Sequence, residues 1–117
     1  MPTPGDAQGR EPFNINNNYA AAQTNTSIRS APTAPVQIVI TSFVFSMEGA
    51  GSIKLVEDPA GTPVTLYGPY YFAANGGAVA IGVKRRLTPG KALGVTSTGA
   101  VNHSVTVEGY EEIVGGA

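Results

Sequence analysis

The single histidine, His103, stands beside Ser104 in the stretch "VNHSVTVEGY" (101–110). A histidine next to a serine is where nucleophilic chemistry would first be sought. Such a pair works when the imidazole can take the hydroxyl proton and a carboxylate orients the ring. Here Val101, His103, Val105 and Val107 alternate with Asn102, Ser104, Thr106 and Glu108, the period of a β-strand. Neighbours on a strand point to opposite faces, so His103 and Ser104 cannot pair directly. His103 is therefore expected to be structural or interfacial, and no catalytic residue is assigned. The chain has no cysteine, and its acids Glu48, Glu57, Asp58, Glu108, Glu111 and Glu112 are dispersed. That set matches neither a zinc spacing nor a calcium loop, so no metal and no cofactor are expected. The adjacent carboxylates Glu57-Asp58 and Glu111-Glu112 diverge at strand ends and read as solvated turn charge. "TPGKA" (88–92) has the Gly-Lys step of a phosphate loop, but it lacks the first glycine and runs into a strand where a helix is required.

Two clusters suit recognition better than catalysis. Lys84, Arg85 and Arg86 end a predicted strand and have three readings: a solvated tip, contact with an acidic protein patch, or contact with nucleic acid. Arginine favours interfaces and bidentate carboxylate pairing. Nucleic acid is disfavoured, because no aromatic residues interleave the cluster and the net charge is −1. Tyr67, Tyr70 and Tyr71, around "GPYYF" (68–72), could stack sugar rings with help from Asn75. They could equally form core and subunit interface, where tyrosine is enriched, and the interface reading is preferred.

The elements that would carry these clusters are strands. "VQIVITSFVF" (36–45) directs Val36, Ile38, Ile40 and Val44 one way and Val39, Phe43 and Phe45 the other, as in a central strand or one shared between core and interface. "SIKLVED" (52–58) turns Ile53 and Leu55 inward. "PAGTP" (59–63) is a turn in which Gly61 is expected to take positive φ. "VTLYGPYYFA" (64–73) is interrupted at Gly68-Pro69, which implies an edge, bulge or corner. "ANGG" (74–77) is the strongest hairpin signal. Val79, Ile81 and Val83 share a face of "AVAIGVKRR" (78–86), and "ALGVTST" (92–98) is a further strand. Turn signals recur with no helical period between them, which predicts an all-β, antiparallel β-sandwich, jelly-roll-like, of about 6–8 short strands.

Residues 1–35 differ in character. They hold Pro2, Pro4, Pro12, Pro32 and Pro35, the run Asn16-Asn17-Asn18, and few large apolar groups. Proline removes backbone donors and asparagine favours turns, so an extended N-terminal arm (1–35) is expected outside a β-sandwich domain (36–117). Its scattered anchors Phe13, Ile15, Tyr19 and Ile28 would each occupy a pocket on a partner. A domain that short gains from association, and only 13% of residues are charged, which suits burial in an assembly. No basic n-region precedes an apolar segment, and no apolar run reaches about 18 residues, so neither a secretion signal nor a membrane span is expected. Positive charge is too sparse for a nucleic-acid or membrane-surface binder.

The course from Leu66 to Glu112 carries a family likeness. Tyr67-Gly68-Pro69, Asn75-Gly76-Gly77, Pro89-Gly90-Lys91-Ala92-Leu93 and Val105-Thr106-Val107-Glu108-Gly109-Tyr110 resemble the motifs of small β-sandwich proteins from tailed-bacteriophage structural clusters. Those proteins are typically head decoration (cement) proteins, or fibre and tail modules, often trimeric and without enzymatic activity. The resemblance implies a non-enzymatic virion structural protein, made in the host cytoplasm and placed on the capsid surface. It further implies a homo-oligomer, with a trimer favoured, that binds the major capsid protein and clamps neighbouring capsomers through its arm. A phage fibre or tail component, or a glycan-binding module using the aromatic stretch 67–72, is the alternative.

Overall fold

The computed structural model describes residues 10–113. Eight strands follow in order: β1 (Glu11–Tyr19), β2 (Thr26–Arg29), β3 (Val36–Met47), β4 (Gly51–Glu57), β5 (Val64–Phe72), β6 (Gly77–Arg86), β7 (Leu93–Thr98) and β8 (His103–Ile113). They form two four-stranded sheets, the first in the order β1-β8-β3-β6 and the second β2-β7-β4-β5. Every pairing is antiparallel, and the two sheets make a jelly-roll β-sandwich. The core between them takes Ile38, Ile40, Phe43, Phe45 and Met47 from β3, Ile53 and Leu55 from β4, Leu93 and Val95 from β7, and Val105 and Val107 from β8. Ile53, Leu55, Val79, Ile81 and Val83 face inward, as their alternation predicts.

The sandwich begins well before residue 36. β1 pairs along its whole length with β8, and β2 pairs with β7, so residues 11–29 supply one edge strand to each sheet and do not form an arm reaching outward. The physical reason is a period of two that asparagine conceals. Phe13, Ile15, Asn17 and Tyr19 lie opposite Gly109, Val107, Val105 and His103, on the core side. Asn14, Asn16 and Asn18 fill the outward positions. Phe13, Tyr19 and Ile28 pack against the chain's own core, and Ile15 is half-buried beside them. Pro2 and Pro4 lie outside the described residues.

Three local expectations are corrected. "ANGG" does not close a hairpin: β5 and β6 belong to different sheets, and the turn, held by Gly76 N–H donating to the Ala73 carbonyl at 2.8 Å, carries the chain across the sandwich. The hairpin is instead the "PAGTP" connection between β4 and β5. Positive φ in that connection falls on Asp58 (58°), whose carboxylate accepts the Thr62 N–H at 3.0 Å. Finally, β3 does not keep one alternation. Ile40 opposes Gly109 and Ser42 opposes Glu108, so Thr41 is an extra residue, a β-bulge that shifts the phase. Ile38 and Ile40 before it, and Phe43, Phe45 and Met47 after it, thus enter the same core, while Val44 turns outward.

Candidate functional site

The histidine is paired, but not with its neighbour. His103 Nε2 lies 2.8 Å from Ser97 Oγ, and Nδ1 lies 2.8 Å from the Val101 carbonyl oxygen. A carbonyl only accepts, so Nδ1 carries a proton, and in the neutral ring Nε2 accepts from the Ser97 hydroxyl. Ser97 Oγ in turn accepts the Gln23 N–H at 2.9 Å. This Ser–His contact is not a nucleophilic site. Ser97 is 3% exposed and His103 4%, Tyr19 covers the ring at 5.5 Å, and among the described residues no carboxylate bonds to the ring. It is a buried polar tie from β7 in one sheet to β8 in the other. Ser97 was legible as a partner, because Leu93, Val95 and Ser97 alternate inward just as Val107, Val105 and His103 do. Among the described residues, no group of three acidic or histidine side chains could hold a metal ion.

The carboxylate pair Glu111-Glu112 diverges as expected, yet neither member is simply solvated. Glu111 accepts Arg29 Nε at 2.6 Å, joining β8 to β2 across the sandwich, and the Arg29 guanidinium also lies 4.2 Å over the Phe13 ring. On the outer face Glu112 accepts Gln37 Nε2 at 2.9 Å and Arg86 Nε at 3.1 Å, with Arg10 at 3.9 Å. Burial, the largest single influence, pushes the Glu112 carboxyl up. The hydrogen bonds from Gln37 and Arg86 and the charges of Arg86 and Arg10 outweigh it together and hold the group below its ordinary value.

A different arrangement fills the opposite side, where β5 and β6 face each other across the sandwich. Tyr67, Tyr70 and Phe72 from β5 and Val79, Ile81 and Val83 from β6 pack against the core while remaining only half-buried. The rings lean on Phe43 and Phe45: Phe43–Tyr67 at 5.0 Å, Phe43–Tyr70 at 6.0 Å and Phe45–Tyr70 at 5.8 Å. Two register shifts in β5 make this possible. Leu55 opposes Tyr67 while Ile53 opposes Tyr70, so Gly68-Pro69 forms the bulge expected of that pair, on an edge strand. Gly68 has φ +100°, and a Cβ there would lie 2.9 Å from the Ile53 carbonyl oxygen, so glycine is required. Tyr71 stands free at 81% exposure.

Of the three cations at 84–86, Lys84 is exposed, Arg85 lies 5.6 Å over the Tyr67 ring, and Arg86 is bound to Glu112. The structure thus brings Tyr67, Tyr70 and Arg85 into one aromatic seam and takes Arg86 to the other face. A cleft of about 570 Å³ at the end of the sandwich is lined by Asn18, Tyr19, Ser46, Glu48 and Asn102 among others. Its carboxylate is engaged by Asn102 Nδ2 at 3.1 Å and its aromatic ring by His103, so it offers no free stacking platform.

No family model matches the sequence, and no curated protein matches it. Among solved structures, the globular domain of zebrafish complement 1qA protein is similar, with a TM-score of 0.48 and 16% identity over 84% of this chain and 94% of that one. At that level no property of that protein is carried to this chain.

Proposed function

We propose that this protein is a non-enzymatic virion structural subunit that decorates the outer face of a tailed-phage capsid, with the major capsid protein as its partner. The observation that carries the reading is the half-covered seam along β5 and β6. Stable monomers seldom leave contiguous apolar surface open, and tyrosine with arginine is the composition that protein interfaces enrich. The choice of a phage head rests on the resemblance of the motifs between Leu66 and Glu112. The clamp is assigned to the seam, with Tyr67, Tyr70 and Arg85, and to the exposed Tyr71 next to it in β5, because Phe13, Tyr19 and Ile28 are spent inside the chain's own sandwich. The test mixes purified protein with empty shells that lack it. Co-sedimentation and greater resistance of the shells to heat are expected, and both should fall for Tyr71→Ala with Arg85→Ala. Protein that stays in the supernatant and leaves shell melting unchanged overturns the reading; pelleting with tails or fibres instead moves the role there. A second reading, a glycan-binding module, is favoured by the exposed ring of Tyr71, four residues before Asn75 in the sequence. A glycan array that stays blank at high protein concentration removes it.

A further inference from the structure

The four edge strands of the sandwich are not equivalent. β2 has four residues and an irregular register. β5 carries Pro69, which has no N–H to offer, and two register shifts; such features blunt an edge. β1 holds Pro12, and its side of the sandwich is closed. There Arg29 lies over Phe13, while Asn14 Nδ2 donates to Glu108 Oε1 and Asn16 Nδ2 to Thr106 Oγ1, both at 3.0 Å. β6 is different. It runs for ten residues without proline and pairs on one side only, with β3. Side chains and backbone groups alternate together along a strand. The core-facing Val79, Ile81 and Val83 therefore bond to β3, as Leu87 beyond them does when its N–H donates to the Ile38 carbonyl at 2.9 Å. Ala78, Ala80, Gly82 and Lys84 are exposed and turn their N–H and C=O groups to the open edge. Among the described residues no loop or turn bonds to those groups.

We infer that this edge takes up an extended segment of the capsid protein as a fifth strand of the first sheet, antiparallel to β6. Free N–H and C=O groups at strand spacing are matched along their length only by another extended backbone. In strand addition the main-chain bonds supply affinity, and pockets for alternate side chains supply specificity. The half-covered seam provides those pockets. Every second side chain of the added strand faces inward beside Val79, Ile81 and Val83, and covers the rings of Tyr67 and Tyr70 that β5 leaves half-buried. Charge sets the direction of the sequence. Lys84 and Arg85 belong to no salt bridge among the described residues, and they stand on opposite faces near the end of β6. An antiparallel strand meets that end first, so its N-terminal residues are acidic and its later inward residues apolar. The same charges select against a second copy of the chain. β6 contains no carboxylate, so two such edges laid together leave their cations unpaired. The owner of the added strand rests on the shell-binding role proposed above; the chemistry of the edge does not.

The probe is the acetylated and amidated octapeptide Asp-Glu-Val-Thr-Val-Thr-Val-Thr, titrated into the full chain while the backbone amides are followed by NMR. Shifts at Ala78, Ala80, Gly82 and Lys84 are expected, saturating with a dissociation constant below about 1 mM. Ala80→Pro removes an outward N–H and spares the ladder to β3. It should weaken the peptide about tenfold or more, whereas Ala80→Thr, which keeps the N–H, should not. Should Ala80→Pro disturb the fold, Lys84→Glu gives a second route: it should weaken this peptide and be rescued by one with lysine in place of the glutamate. In the shell assay Ala80→Pro should lose attachment and Ala80→Thr should keep it. Amides of β6 that stay still up to about 2 mM peptide, shifts centred on β1 or β5, or the same amides moving with protein concentration alone overturn the inference. A chain that binds the peptide at β6 but ignores shells upholds the edge and overturns the shell-binding role. Shells bound equally by Ala80→Pro overturn the capsid protein as owner of the strand.

Discussion

Where β1 meets β2, the two sheets are joined by directed polar contacts; where β5 meets β6, they are joined by rings and branched side chains. On the first side Arg29 reaches from one sheet to Glu111 of the other at 2.6 Å and covers Phe13, while Ser97, His103 and the Gln23 N–H form a buried chain of hydrogen bonds nearby. On the second side Tyr67 and Tyr70 rest on Phe43 and Phe45, and the one charge at the seam, Arg85, lies over a ring. Charge-assisted contacts fix geometry, so the first side is finished within the monomer. Aromatic and aliphatic side chains gain further by being covered, so the second side keeps apolar surface that burial would still stabilise. On the function proposed above, the contrast separates what holds the fold from what would be offered to a partner.

The comparison breaks most visibly if β1 is removed. A chain lacking residues 1–24 loses the ladder to β8 and the cover given by Phe13, Ile15 and Tyr19. These half-buried side chains each contribute less than the full-burial value of about 1.5–3 kcal/mol, but with the ladder they make up a large share of the stability of a small domain. Loss of a cooperative thermal transition is expected, and a truncated chain that melts like the parent would show the first side to be dispensable. Ser97→Ala strands both His103 Nε2 and the Gln23 N–H, and should cost about 2 kcal/mol in urea denaturation. Arg29→Ala removes a partly exposed ion pair and the contact with Phe13, for about 1 kcal/mol, and a double-mutant cycle with Glu111→Gln should recover part of that as coupling.

Smaller still is the acid response of Glu112. Its carboxyl is held below the ordinary 4.5, so its contribution is complete above that value and is lost as pH falls through the lower folded one. Melts from neutral pH down to about pH 3 should therefore fall less steeply for Glu112→Gln than for the parent. Least of all, Tyr71→Ala at the open side should shift stability by no more than about 0.5 kcal/mol, while weakening attachment to shells.

The inward residues of β4, β6 and β8 were legible because their polar neighbours are ordinary strand residues, as in Ile53 and Leu55 around Lys54. β1 was not, although Phe13, Ile15 and Tyr19 follow the same period. Asparagine has low strand propensity, and here its cost is met by lateral bonds to Glu108 and Thr106 that appear only once β8 lies alongside. The hairpin was misplaced for a related reason: "ANGG" specifies a tight turn but not which sheet the next strand joins. The seam was half visible. The aromatic cluster and the cations stand out in the sequence, but the register shifts in β5 that aim Tyr67 and Tyr70 inward, and the departure of Arg86 towards Glu112, depend on strands distant in the chain.

The extra residue in β3 has a consequence for how this protein can change. Thr41 donates its hydroxyl to the Glu108 carbonyl at 3.2 Å beside Gly109, where a Cβ would run into the Val39 carbonyl oxygen. The bulge and the glycine opposite it therefore form one unit. Exchanging Thr41 for another residue leaves the unit in place, and deleting it would leave Ile40, Ser42 and Phe43 in plain alternation opposite β8, with Phe43, Phe45 and Met47 still facing the core. The length of β3 is thus forgiving at this one position, whereas a lineage that loses a regularly paired residue such as Val44 turns Phe45 and Met47 outward and must rebuild that end of the sheet.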